Sequence, residues 1–185
     1  MKKMQIKELE KDNYDSVNFI YKQGIETNLA TFQMDCPTFE EWDKAHFNFC
    51  RFGMFDEDRL IGWIALTPVS NRCVYSGLAE VSIYVDNNNK GKGIGHSLLM
   101  YLIEQSELKG IWTLQASIMQ NNISSINLFK KCGFREVGYR EKIGRDKYGV
   151  WRNTILVERR SSLPEFNIEE KNYDIISCDK RCRQN

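Results

Sequence analysis

The stretch that most constrains this chain runs from Ala79 to Met100: Ala-Glu-Val-Ser-Ile-Tyr-Val-Asp-Asn-Asn-Asn-Lys-Gly-Lys-Gly-Ile-Gly-His-Ser-Leu-Leu-Met. Ala79 to Asp86 is rich in β-branched and aromatic residues and reads as a strand. Asp86 to Lys90 is a run of loop formers. Gly91, Gly93 and Gly95 then alternate with Lys92 and Ile94 and open an amphipathic helix. Glycines let backbone amides point inward without obstruction from a Cβ. A helix N-terminus adds unsatisfied donors and a positive dipole end. With the charges of Lys90 and Lys92, the sum is an anion cradle suited to a pyrophosphate.

Two other phosphate-binding patterns are excluded. A dinucleotide fingerprint needs glycine at the sixth position from Gly91, where this chain has His96. A Walker loop needs G-x-x-x-x-G-K-[ST], and no such string is present.

The rest of the chain reads as alternating elements. Met4 to Leu9 alternates as a strand. Asp12 or Asn13 caps a helix with Val17, Ile20, Tyr21 and Ile25 on one face. Thr38-Phe-Glu-Glu41 is a capping box for a second helix, with Phe39, Trp42, Ala45, His46 and Phe49 at helical spacing. Arg51–Asp56 and Leu60–Val69 form a hairpin. The helix after the glycines stops at Gly110, Ile111–Ile118 is a strand, and Asn121–Lys131 is a helix stopped by Gly133. Phe134–Ile143 and Val150–Glu158 are the last two strands. The order β-α-α-β-β-β-α-β-α-β-β predicts an α/β protein, with a mixed, mostly antiparallel sheet flanked by helices on both faces. Residues 1–160 are expected to form a single domain. Residues 161–185 are polar and weakly periodic, an expected tail that is partly ordered or docks.

Composition narrows the partners. A net charge of +1 gives no electrostatic reason to expect nucleic acid or an anionic membrane. No apolar run approaches a membrane span, and no hydrophobic region follows the basic start. Six scattered cysteines lack a Cys-x-x-Cys pair and read as free thiols in a reducing cytoplasm. Two histidines and no ligand cluster argue against a metal site.

Lys90-Gly-Lys-Gly-Ile-Gly95 matches [RK]-G-x-G-x-G after a strand, and so resembles the GNAT superfamily of acyl-CoA-dependent N-acyltransferases. Asn122-Ile-Ser-Ser-Ile-Asn-Leu-Phe-Lys-Lys-Cys-Gly-Phe134 resembles that family's N-x-x-S-x-x-L-[YHF]-x-x-x-G-F. Ile25 to Phe32, followed by Pro37 and Trp42, resembles the phosphinothricin and methionine sulfoximine N-acetyltransferase branch, as does Ala79 to Val85.

The resemblance implies acetyl-CoA as acyl donor. Its pyrophosphate would lie on Lys90, Gly91, Lys92, Gly93, Ile94 and Gly95, and its pantetheine arm beside Ile83, Tyr84 and Val85 as an added strand. Asn122 and Ser125 match the family's asparagine and serine near that arm. Glu80 matches the branch glutamate that holds the acceptor ammonium and takes its proton as general base; the alternative is a surface-facing or structural hydrogen-bonding glutamate. Arg72 is the candidate for an acceptor carboxylate, or else a solvated loop arginine. Ser70 stands where some relatives carry a second arginine. Phe32 and Tyr75 are candidate pocket walls, or else core residues. Phe129 occupies the position of the usual thiolate-protonating tyrosine, which leaves solvent, Tyr84 or Tyr139. The branch also implies a homodimer, with residues near Thr27 to Phe32 closing the partner's site, and a small amino-acid-like amine as acceptor; the alternatives are an acetyltransferase for a polyamine or a protein N-terminus, or a non-catalytic acyl-CoA-binding module on the same fold.

Overall fold

A computed structural model describes residues 4–166. The elements follow the expected order. They are β1 (Met4–Glu8), α1 (Tyr14–Glu26), α2 (Phe39–Ala45), β2 (Phe52–Asp56), β3 (Arg59–Pro68), β4 (Leu78–Val85), α3 (Ile94–Leu108), β5 (Thr113–Met119), α4 (Ile123–Lys131), β6 (Arg135–Arg145) and β7 (Trp151–Arg160). Seven strands make one sheet in the order β1-β2-β3-β4-β5-β7-β6. Only β4 and β5 run parallel; every other neighbouring pair is antiparallel.

Strand β3 explains why both faces are covered. Its residues Leu60 to Leu66 are buried without a break, which a sheet achieves only when helices pack on each side. Trp63 and Ala65 join Val17 and Ile20 of α1 and Trp42 of α2 on one face. Ile64 and Leu66 join Ile94, Leu98, Leu99 and Leu102 of α3 and Phe129 of α4 on the other. At Gly95 an added Cβ would come within 3.1 Å of Leu128 on α4, so α3 and α4 meet closely there.

The β4–β5 pairing is short, and this opens the site. It covers only Leu78↔Thr113, Ala79↔Leu114 and Glu80↔Gln115. Beyond it β4 stays on β3 as far as Val85, while β5 stays on β7 as far as Met119. The two strands part, and their facing backbone edges are left for another partner.

Local expectations hold in most places. Thr38 and Glu41 form the capping box of α2, with Thr38 N–H donating to Glu41 Oε2 at 2.8 Å. Helix α2 is shorter than its apolar pattern suggests, because His46 is extended and Phe47 donates its amide to the Leu66 carbonyl. Phe47 and Phe49 then stack on each other as coil residues at 4.8 Å. The first residues of the tail follow β7: Ser161 donates its amide to the Trp112 carbonyl at 2.8 Å, and the rings of Trp112 and Phe166 lie 6.3 Å apart. Residues 167–185 of the expected tail, with Cys178 and Cys182, lie outside the described residues. Among the described residues no helix is long and apolar enough to cross a membrane.

Candidate active site

The gap between β4 and β5 is shared by two cavities. One, of about 780 Å³, is lined by Ile83, Tyr84, Val85, Asn89, Lys90, Gly91, Gly93, Ile94, Gly95, His96, Asn122, Ser125 and Lys131, among others. The other, of about 730 Å³, is lined by Tyr21, Phe32, Asp35, Glu41, Trp42, His46, Trp63, Thr67, Glu80, Ser82, Ser117 and Phe129, among others. Leu29, Ala30, Ile83, Tyr84, Asn122 and Ser125 border both, so the two spaces meet across β4 and the start of α4.

The first cavity has the cradle geometry. Gly91 and Gly93 have φ of 77° and 81°, values that an L side chain rarely adopts. A Cβ at either would meet nothing within 4 Å, so the space that a phosphate would need is open. Gly93 is the N-cap residue of α3, which leaves the first-turn amides of the helix free to face an anion. Lys90 lines the cavity, and Lys92 does not. The Lys92 ammonium donates instead to Asn88 O at 3.1 Å and Asn89 Oδ1 at 2.9 Å. Asn122 caps α4 by accepting the Ser125 amide at 3.2 Å, and its Nδ2 donates to the Leu29 carbonyl at 3.1 Å. These residues fit a coenzyme A pyrophosphate and pantetheine.

The second cavity has Glu80 on its floor. Glu80 is half-buried and accepts from Gln115 Nε2 at 3.2 Å. Strand alternation puts Ser82 and Tyr84 on the same face as Glu80. Burial raises the Tyr84 phenol far above its ordinary pKa and raises that of Tyr21, so both hydroxyls remain protonated hydrogen-bond donors at neutral pH. Tyr21 Oη lies 3.4 Å from Thr31 Oγ1. His46 Nδ1 lies 2.7 Å from the Trp42 carbonyl, and burial lowers its pKa, which keeps the ring neutral. Cys36 also lines this space, with its thiol pKa raised by burial.

Arg72 and Tyr75 do not border either cavity. They sit on the exposed segment between β3 and β4, with the Arg72 guanidinium 5.5 Å from the centroid of the Tyr75 ring. Arg140 also lines neither cavity, but its Nη1 lies 3.5 Å from Ser117 Oγ, and Ser117 lines the second one. Tyr139 donates to Gln120 Oε1 at 3.2 Å and lines neither cavity.

Phe32, a candidate pocket wall in the sequence, does line the second cavity, but nothing in the sequence showed how its segment is held there. Residues 29–33 and 35–37 form one wall of that cavity within the same chain. This segment is pinned by Asn28 to Asp146 at 3.0 Å, by Leu29 to Asn122, and by Phe32 lying against Gly144. These partners are far apart in the chain and carry no shared sequence signal. Among the described residues, no group of three His, Cys, Asp or Glu side chains gathers as a metal site.

Residues 5–134 match the acetyltransferase (GNAT) family. The chain belongs to that family. It is 27% identical over 166 residues to the phosphinothricin N-acetyltransferase of Alcaligenes faecalis, covering 86% of this chain and 83% of the relative. It is 36% identical over 77 residues to an L-methionine sulfoximine/L-methionine sulfone acetyltransferase of Pseudomonas aeruginosa, covering 42% of this chain and 44% of that one. Among solved structures it is similar to a GNAT superfamily phosphinothricin acetyltransferase from Sinorhizobium meliloti in complex with acetyl-CoA. That similarity has a TM-score of 0.79 at 25% identity and covers 94% of this chain and 97% of that one. This GNAT chain is therefore an acetyl-CoA-dependent N-acetyltransferase.

Proposed function

We propose that this GNAT enzyme acetylates the primary amine of a small amino-acid-like acceptor, by direct attack within a ternary complex, with Glu80 as general base. The observation that carries the reading is the meeting of the two cavities across the parted β4 and β5. A thioester reaching from the glycine cradle arrives beside Ile83 and Tyr84, and an amine entering from the other side arrives over Glu80. Acetyl-CoA supplies the activated acetyl group. Gly91, Gly93 and the first turn of α3 hold its pyrophosphate, and the open edge of β4 carries its pantetheine.

Glu80 receives the acceptor as an ammonium ion and takes one proton, which frees the nitrogen lone pair. The nitrogen forms its bond to the acetyl carbon as the carbon–sulfur bond breaks. Phe129 has no proton for the departing sulfur. Ser125 borders both cavities and offers a hydroxyl there, with solvent as the other proton source. The raised thiol pKa of Cys36 argues against an acylated cysteine, since only the thiolate is a strong nucleophile.

An α-carboxylate on the acceptor finds Arg140 beside Ser117. That serine is two residues along β5 from Gln115, the partner of Glu80, or about 7 Å away on the same face. The far end of the cavity carries Asp35 and Glu41, so a neutral side chain is favoured over an anionic one. The free thiols Cys36, Cys50, Cys73 and Cys132 support a cytoplasmic enzyme.

The test is thiol release from acetyl-CoA across methionine sulfoximine, phosphinothricin and simple amines. Methionine sulfoximine is expected to be turned over faster than phosphinothricin. Glu80→Gln should lower turnover about 100-fold at neutral pH with coenzyme A binding intact. Turnover unchanged across the pH range would remove Glu80 from the mechanism.

A further inference from the structure

Asp86 is a buried carboxylate at the foot of a cradle built for an anion. It is 1% exposed and lies between the end of β4 and the short 3₁₀ turn Asn87–Asn89. An unpaired negative charge there would repel a pyrophosphate, so its presence needs a reason other than contact with the cofactor.

Its hydrogen bonds supply that reason. Oδ1 accepts from Gln23 Nε2 at 3.0 Å. Oδ2 accepts from Arg59 Nη2 at 2.5 Å and from Asn89 Nδ2 at 2.7 Å. Asn89 Oδ1 in turn accepts from the Lys92 ammonium, which also holds the Asn88 carbonyl. Gln23 Oε1 accepts the Asn87 amide at 2.7 Å. The backbone adds two bonds, Asp86 N–H to the Ile61 carbonyl and Asn89 N–H to the Asp86 carbonyl. One carboxylate thus joins α1, the start of β3 and the loop that leads into Gly91 and Gly93. Arg59 balances its charge, so the cradle itself gains no net negative charge from it.

We infer that Asp86 is a positioning residue for the cofactor: it touches no part of coenzyme A, but through Asn89 and Lys92 it fixes the turn that presents the cradle amides. This rests on the reading that the glycine cavity holds coenzyme A. Lys92 is then a brace of the loop rather than a phosphate ligand, and Lys90 is the lysine that faces the cavity. Gln23 extends the network into α1, whose Gly24 packs against Tyr84 between the two cavities.

Calorimetric titration of coenzyme A into the cofactor-free protein tests this. Asp86→Asn and Asn89→Ala should each raise Kd roughly tenfold, because cradle amides displaced by a fraction of an ångström lose aligned contacts. The double variant should bind no worse than the weaker single, since the two side chains act in series. The acceptor KM at saturating acetyl-CoA should not move. Wild-type Kd in both single variants, or strictly additive losses in the double, overturns the positioning role alone. If Asp86→Asn does not fold, Asn89→Ala decides by the same Kd criterion. A wild-type protein that fails to bind coenzyme A overturns the cavity reading as well.

Discussion

Asp146 shows at the residue scale how surroundings outweigh intrinsic chemistry. Its side chain is fully buried, which by itself pushes a carboxyl pKa up. Hydrogen bonds from Asn28 Nδ2, the Val150 amide, Arg152 and the Tyr148 amide more than offset that and hold it at about 2. A folded-state pKa below the unfolded value means that the stabilisation is complete above the ordinary carboxylate range and fades as pH falls toward 2. Asp86, also held below its ordinary range despite its burial, adds to the same acid limb. Chemical denaturation between pH 6 and about 2 should therefore show falling stability, with a shallower fall in Asp146→Asn. A variant with the wild-type slope would mean that Asp146 does not contribute. The same residue pins Asn28, so this variant also loosens the cover over the acceptor cavity and should raise the acceptor KM.

At the scale of elements, the β4–turn–α3 unit does most to set the chemistry. Gly93 has φ of 81° and an open Cβ direction facing the cofactor cavity. Gly93→Val would place a branched side chain in that space and would also strain a left-handed position by about 1–2 kcal/mol. We expect coenzyme A binding to fall below detection in titration calorimetry while the circular dichroism spectrum stays native. Retained affinity would place the phosphate elsewhere. The other end of the unit behaves differently. Glu80 owes its place to the three-residue β4–β5 pairing, which brings Gln115 beside it before the strands part.

For the whole molecule, the last hairpin carries the features that a self-association test should address among the described residues. β6 is an edge strand of the sheet and is exposed along nearly all of its length. Around it Val137, Tyr139, Ile143, Tyr148, Val150 and Trp151 are 43–73% exposed. Clustered apolar side chains on an open edge favour self-association. Light scattering should give twice the chain mass of 21.7 kDa, and Trp151→Glu should shift it to the single chain mass. A monomeric wild type at micromolar concentration would leave the hairpin without that role. Residues 29–32 wall the second cavity of the same chain.

The sequence alone determined the element order, the glycine cradle, the capping box of α2 and the family, because each rests on short-range spacing. Helical and strand periodicity, the alternation of Gly91, Gly93 and Gly95, and Thr38 with Glu41 are all readable within a few residues. Helix α2 was over-extended because the apolar spacing of Phe49 looks the same in a helix and in a coil that packs on the core. Only the tertiary structure decided which side chains share a site. Sheet order carries Arg140 to Ser117, a residue that lines the second cavity, and leaves Arg72 stacked on Tyr75 away from every lining residue of that cavity. Asn28 meets Asp146 across 118 residues of chain, and Gln23 meets Asp86 across 63. No local pattern encodes such pairs, since they arise from the packing of whole elements. They are the contacts that close the acceptor cavity and brace the glycine loop of the Ala79–Met100 stretch.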